Sequence, residues 1–217
     1  AFVADRVVVA TTANVATRLA ADLPTSMVSD MQKAFLASQR YSANIHVCFR
    51  IARLKDAPPV NAIYPAGPGP HAWSALAFHR AKETGHEPEG EEIFSFYLSG
   101  AESLRMMDAS EPELLAHCLK MAREVYPELP TEARPFLVLR RDAAIPIHAV
   151  GRYGLADDFQ VEQQARRGVV NFCGDYLATA TVEGAVATGL AAAEATKPLG
   201  EVRQDEATRP TRLQPRA

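Results

Sequence analysis

Short unbroken apolar runs stand near both ends of the chain, and each is followed by small residues. One stretch reads VVVATTANVATRLA from Val7, and the other reads GVVNFCGDYLATATVEGAVATGLAAAE from Gly168. Unbroken apolar runs are typical of strands that are buried on both faces, as in parallel sheets. We therefore predict a fully buried strand, a turn and a helix at each end.

The middle of the chain alternates between apolar and polar residues. YSANIHVCFRIARL, residues 41–54, places Ile45, Val47, Phe49 and Ile51 on one face. A period of two predicts a half-buried strand of an antiparallel sheet. Further strands are predicted in two short pieces around the turn at 65–70, in 92–100, and from 134 onward into a proline-broken extended segment.

The clearest helix is SEPELLAHCLKMAREVYPEL. Ser110 suits the N-cap, Pro112 suits the first turn and Pro127 ends the helix. Its apolar residues recur at helical spacing, which predicts one buried face. A second, more polar helix is predicted in LADDFQVEQQARRG, and residues 197–217 have so little apolar content that we expect a disordered tail.

Composition excludes several classes of function. The chain has 217 residues, a net charge of −3 and scattered Lys and Arg, so no nucleic-acid partner is indicated. No apolar run approaches the roughly 18 residues of a membrane span. The three cysteines are far apart and the six histidines have no ligand spacing, so neither a disulfide framework nor a metal site is expected. A reducing cytoplasm is the simplest location.

The turn before the last predicted helix has the chemistry of a ligand site. Thr181 is a plausible N-cap, with Thr179 as the alternative, and the exposed amides of a helix start favour an anion or an electron-rich atom. Asp175 suits sugar hydroxyls, because a carboxylate accepts two hydrogen bonds. Gly184 and Gly189 indicate close approach of a flat or bulky group, or close helix packing. A purely structural strand-to-helix connection remains the alternative.

This turn resembles the last cofactor segment of the superfamily of FAD-dependent amine oxidases, protoporphyrinogen oxidases and phytoene desaturases. There a strand is followed by a small residue, Gly and an acid, then by a loop and a helix rich in Gly and Ala. This sequence gives Cys173-Gly174-Asp175, then Val182-Glu183-Gly184-Ala185, then Thr188-Gly189.

Two further stretches resemble the same superfamily in the same order. ADRVVVATTANVATRLA is similar to its AD-x-V-I-x-A-T-P segment, with Thr12 in place of Pro. LRRDAAIPIHAVG is similar to its W-x-x-A-x-P-x-Y-x-x-G segment, with Arg141 and His148 in place of aromatic residues. The protoporphyrinogen oxidase-like branch fits best, because a strand and a helix stand where that branch has them.

The resemblance implies FAD as the cofactor. Asp175 would bind its ribityl and pyrophosphate part, and the amides from Val182 to Ala185 would face the pyrimidine edge of the flavin and stabilise negative charge at N1 and O2. No catalytic residue is predicted, because the flavin carries the chemistry. The predicted cofactor-binding residues are Ala10, Thr11, Gly174, Asp175, Thr181, Val182, Glu183, Gly184 and Ala185.

The implied fold is α/β (α+β mixed), with a mixed-sheet substrate-binding domain and a C-terminal strand-helix segment that completes a Rossmann-like FAD domain. Residues 1–22 and 151–196 would belong to the FAD-binding domain and 23–150 to the substrate-binding domain. The adenosine-binding G-x-G-x-x-G is absent from these residues. We therefore expect the later part of a larger protein, or a second chain that carries that half.

The implied activity is hydride transfer from a C–H or C–N centre of a small-molecule substrate to the flavin. Two alternatives remain open from the sequence. One is a non-catalytic relic or partner subunit with the same fold, and the other is a carotenoid-type desaturase. The desaturase predicts a more apolar, membrane-dipping substrate region than this sequence has.

Overall fold

The structure, a computed structural model, describes residues 3–56, 60–67, 70–81, 88–166 and 168–196. The tail predicted at 197–217 lies outside them. In chain order the elements are β1 Val7–Ala10, α1 Ala13–Ala20, α2 Asp30–Ser38, β2 Tyr41–Ala52, β3 Ala62–Ile63, β4 Trp73–Phe78, β5 Glu91–Leu98, α3 Gly100–Arg105, α4 Glu111–Val125, β6 Arg134–Pro146, α5 Arg152–Arg166, β7 Val170–Cys173 and α6 Val182–Ala195.

Two compact units share the chain. Among the described residues, the terminal unit is built from 3–38 and from the part between His148 and Thr196, and the central unit lies between Gln39 and Ile147. The predicted substrate-binding domain began at residue 23, but 23–38 fold with the terminal unit. The reason is aromatic packing on α5, because the Phe35 and Phe159 ring centroids are 5.1 Å apart.

The central unit is a five-stranded antiparallel sheet in the order β3-β4-β5-β2-β6. One face of β2 is fully buried at the predicted positions Ile45, Val47, Phe49 and Ile51. The period-two pattern is therefore confirmed. These side chains join residues of β4, β5 and α4 in one core: Leu76, Phe78, Phe94, Phe96, Leu98, Leu114, Cys118, Met121 and Ala122.

Strand β6 is longer than the sequence indicates. A proline-broken segment was predicted, but one strand continues from Arg134 to Pro146. Strand β6 is at the edge of the sheet, the position where proline is tolerated because the N–H of alternate residues faces away from the neighbouring strand. The irregularity is present as a shift in register, since Ser42 pairs with Ile145 whereas Asn44 pairs with Arg141.

The terminal unit contains a two-stranded parallel sheet of β1 and β7, paired from Val7 with Val170 to Ala10 with Cys173. Strand β1 was predicted to be buried on both faces, but of its valines only Val9 is buried, whereas Val7 is 48% exposed and Val8 41%. The described residues supply β1 with one neighbouring strand, so the burial that its composition indicates is incomplete.

Helix α2 was not predicted from the sequence. Ser29 and Gln32 form a reciprocal capping box, in which each side chain accepts from the other residue's backbone N–H at 3.1 Å. Ser-x-x-Gln before Phe35 and Leu36 was the signal that could have revealed it. None of the described helices has both the length and the apolar character to cross a membrane.

Candidate functional site

The turn between β7 and α6 has the predicted order. Strand β7 ends at Cys173, Gly174 follows, and Asp175–Leu177 form a short 3-10 turn before the loop to Val182. Cys173 is buried, and this burial raises the pKa of its thiol. The thiol therefore stays protonated and unreactive at neutral pH.

Thr188 joins the end of β7 to α6. Its hydroxyl accepts a hydrogen bond from the Gly174 N–H at 3.0 Å and lies 3.1 Å from the carbonyl oxygens of Gly174 and Gly184. The residue is 3% exposed, so these bonds form out of water. Thr188 therefore fixes the distance between the strand end and the helix start. It belongs to the recognised motif, but its part in holding the turn was not anticipated.

The glycines of this turn are required by the protein's own packing. A Cβ on Gly174 would lie 2.4 Å from the Tyr176 ring, and a Cβ on Gly184 would lie 2.1 Å from the Thr179 carbonyl oxygen. No heavy atom lies within 4 Å of a Cβ on Gly189. Of the reasons considered for glycine in α6, close approach therefore applies to Gly184, and the approaching group is backbone.

Thr181 is the N-cap of α6, and the alternative, Thr179, is not. The Thr181 hydroxyl accepts from the Gly184 N–H at 3.1 Å, and its carbonyl accepts from the Ala185 N–H at 3.1 Å. The Val182 and Glu183 amides have no acceptor within the described part of the chain. Of the four predicted amide donors, these two therefore remain available for a ligand.

Asp175 stands in the 3-10 turn between β7 and the loop that leads to this helix start. The carboxylate has no hydrogen-bond partner among the residues that the structure describes, and its charge acts on His148. The pKa of His148 is lowered, chiefly by burial and then by the Arg152 cation, with Asp175 opposing. The His148 ring is held by a 2.7 Å hydrogen bond between Nδ1 and the Tyr153 hydroxyl. A neutral imidazole therefore stands near the negative Asp175.

Three side chains of α5 that the sequence analysis did not single out hold this region in place. Arg152, which is 5% exposed, donates to the Ala178 carbonyl at 3.1 Å, and Gln160 donates to the Leu177 carbonyl at 2.9 Å. Gln163 binds both the N–H and the carbonyl of Phe172, at 2.7 and 3.0 Å, in the manner of a neighbouring strand. The sequence carries no signal for these contacts, because they depend on which backbone groups lie opposite α5.

Two predicted residues, Ala10 at the end of β1 and Thr11 directly after it, lie at the same turn. Ala10 is the register partner of Cys173, and the Thr11 carbonyl oxygen lies 3.3 Å from where a Cβ on Gly174 would be. The fold thus brings Ala10 and Thr11, at one end of the chain, to Gly174 at the other. All nine predicted residues belong to the terminal unit.

Comparison with known families identifies this arrangement. Residues 1–196 match the family described as flavin containing amine oxidoreductase. The chain belongs to this family. Its predicted superfamily is therefore confirmed, and a flavin is the family's cofactor, in agreement with the predicted FAD.

Solved structures agree on the fold of this family member. A protein from Exiguobacterium sp. 255-15, provisionally named protoporphyrinogen oxidase, has a TM-score of 0.65 at 12% identity over 88% of this chain and 40% of its own. Reduced UDP-galactopyranose mutase has a TM-score of 0.58 at 15% identity, over 81% of this chain and 36% of its own. A double mutant of putrescine oxidase has a TM-score of 0.55 at 16% identity, over 88% of this chain and 42% of its own. The chain thus spans about two fifths of the length of these proteins. A search of curated proteins found no significant match to its sequence.

The residues present fit a flavin nucleotide. Two open amides at the start of α6 suit an electron-rich ring edge, and the unpaired Asp175 carboxylate suits hydroxyl donors. These groups stand on backbone that Thr188 and Arg152 hold in place. The donor set and its rigidity are those expected of a cofactor cradle.

Proposed function

We propose that this chain supplies the flavin-side contacts and most of the substrate-binding domain of an FAD-dependent oxidoreductase. When bound, FAD would supply the acceptor for a hydride from a C–H or C–N centre of a small-molecule substrate, with reoxidation by oxygen or another acceptor. The observation that carries the proposal is that one strand-to-helix connection, β7–α6, holds two open amides at the helix start and a carboxylate without a partner among the described residues.

In this proposal Asp175 accepts hydrogen bonds from the hydroxyls in the ribityl and pyrophosphate part of the cofactor. A carboxylate accepts hydrogen bonds from two neighbouring hydroxyls, and no described residue competes for its oxygen atoms. Gly174 and Thr188 orient it by fixing the end of β7.

The Val182 and Glu183 amides have a different role. They donate towards the pyrimidine edge of the flavin, where fixed dipoles stabilise negative charge that grows during reduction. The Thr181 cap keeps the helix start in place while leaving these two amides open. The protein thereby orients donors before the reaction and needs no side-chain base.

The remaining FAD contacts are proposed to come from a complementary G-x-G-x-x-G segment, on the same or a second chain. The exposed apolar side chains of the terminal unit support this proposal, because parallel strands are normally covered on both faces. On α6 they recur every four residues, at Val182, Val186 and Leu190, with exposures of 83, 55 and 69%. The wide separation of three unpaired cysteines further supports a reducing, cytoplasmic location.

The test is flavin binding by natively purified protein, with any co-purifying polypeptide retained. Visible flavin absorbance and the loss of bound flavin on denaturation measure occupancy. We expect Asp175→Asn to weaken FAD binding by about tenfold or more, since a charged hydrogen-bond acceptor is lost. Asp158→Asn on the exposed surface of α5 is the matched control.

The result also separates the enzyme from the relic. Protein that binds no FAD, with or without the complementary segment, would contradict the proposal and favour a non-catalytic relic. Equal loss of flavin in the Asp175→Asn and Asp158→Asn variants would remove Asp175 from the site.

A further inference from the structure

The central unit carries a groove that the flavin site does not use. It lies on the face of the five-stranded sheet opposite α4 and has a volume of about 590 Å³. Ala75 and Ala77 of β4 line part of it, and their small side chains leave room above the sheet. Tyr64, Tyr97 and Ile145 add aromatic and apolar surface. Both the size and the lining are those of a small-molecule site.

Two consecutive arginines of β6, Arg140 and Arg141, have different surroundings near this groove. Arg140 donates to the carbonyl oxygens of Met106 and Met107, which follow α3, and therefore has a structural role. Arg141 is exposed and lines the groove, and its guanidinium has no hydrogen-bond or ion-pair partner among the described residues. The alternation of a strand thus leaves Arg141 available for a ligand.

The neighbours of Arg141 are held in place before any ligand binds. Asn44 is its register partner on β2 and donates to the Leu98 carbonyl at 3.4 Å. The Tyr97 ring stacks on His46, with centroids 4.1 Å apart and an interplanar angle of 12°. Ordered side chains lower the entropic cost of binding.

The charges of the groove define the ligand. Arg141 is the one cation among the described lining residues, and no Asp or Glu is among them. A guanidinium binds a carboxylate through two parallel hydrogen bonds. We infer that this groove binds a small organic acid whose single carboxylate pairs with Arg141 and whose aromatic or apolar body lies along Tyr97, Ala75 and Ala77. A dianion or phosphate ester would leave charge unpaired.

The binding site stands on the groove alone, whereas its use as the substrate site rests on the proposed function. The test therefore measures binding without flavin turnover. Protein that binds no flavin would contradict the proposed function, and protein that binds no organic acid would contradict this inference. The two results are independent of each other.

The 217-residue chain is titrated with 4-phenylbutyrate, 4-phenylbutyramide and 4-phenylbutylamine. Binding is measured by calorimetry and by changes in the amide NMR chemical shifts. We expect the acid to bind at least about tenfold more tightly than the amide, and the amine not to bind. Shifts should centre on Arg141, Asn44 and Tyr97. Equal binding of acid and amide would overturn the assignment of the carboxylate.

Two variants and one control locate the site. Arg141→Gln should weaken acid binding about tenfold and leave amide binding unchanged. Arg134→Gln removes a cation of the same strand that pairs with Glu91, and should leave both affinities unchanged. Ala75→Leu fills the groove and should abolish both. An unchanged affinity in the Arg141→Gln variant, with the fold confirmed by circular dichroism, would contradict the inference.

Discussion

The two units bury their apolar residues to different degrees. In the central unit, Phe94 and Phe96 of β5 are completely buried under α4, and the sheet has a continuous core. In the terminal unit, Val7 and Val8 of β1 and the Val182–Leu190 face of α6 are exposed. The central unit can therefore be stabilised by its own packing, whereas part of the apolar surface of the terminal unit remains exposed. A binding site in the terminal unit is correspondingly more dependent on local hydrogen bonds.

The largest expected effect tests the self-sufficiency of the central core. Phe96→Ala should lower the free energy of unfolding of this unit by about 3–5 kcal/mol, because a buried ring leaves a cavity. Urea unfolding followed by fluorescence of Trp73, the chain's one tryptophan and a partner of the Phe96 ring at 6.0 Å, measures it. Val8→Ala is the comparison, measured by hydrogen exchange in the terminal unit because Trp73 lies in the central unit, and it should change stability by less than about 0.5 kcal/mol. Comparable losses would show that β1 is covered after all.

Two glycines of α6 sharpen the comparison within the terminal unit. Gly184→Ala should destabilise it by about 1–3 kcal/mol, since the new Cβ meets the Thr179 carbonyl oxygen. Gly189→Ala meets no atom within 4 Å and should stabilise α6 by about 0.5–1 kcal/mol. Hydrogen exchange over residues 168–196 measures both changes. Equal effects of the two substitutions would mean that Thr179 moves freely.

Thr188→Val tests the bond that joins β7 to α6. The substitution keeps the shape of the side chain and removes the acceptor of the Gly174 N–H, so we expect a loss of about 1–3 kcal/mol. Faster exchange of the Gly174 amide, with little change in the central unit, would be the expected signature. Thr196→Val, at the exposed end of the same helix, is the control.

The smallest expected effect concerns acid stability. Hydrogen bonds from Arg105 hold the pKa of Glu102 below its usual value, and His117 adds a further hydrogen bond. A lowered folded-state pKa stabilises the protein above the unfolded pKa of Glu102, and this contribution is lost as pH falls through the folded value. Glu102→Gln should therefore flatten the acid side of the stability profile. Urea midpoints of both proteins between neutral and acidic pH measure it, and an unchanged slope would count against this ion pair.

Much of the central unit followed from the sequence. The alternation at Ile45, Val47, Phe49 and Ile51 predicted the buried face of β2, because one unbroken rule, the period of two, determines it. The family, its flavin and the order of the β7–α6 turn also followed from sequence motifs, and the Thr181 cap follows from local geometry.

Other properties depended on residues that are distant in the chain. The exposure of Val7 and Val8 could not be read from an apolar run, because burial is a property of neighbours. The functions of Arg152 and Gln163 required knowledge of which backbone groups lie opposite them. Arg140 and Arg141 are the same residue type and adjacent in the sequence. In the tertiary structure Arg140 donates to a carbonyl oxygen after α3, whereas Arg141 lines the groove. Local rules thus determined the elements and the motif, whereas long-range packing decided which polar groups remain free to bind.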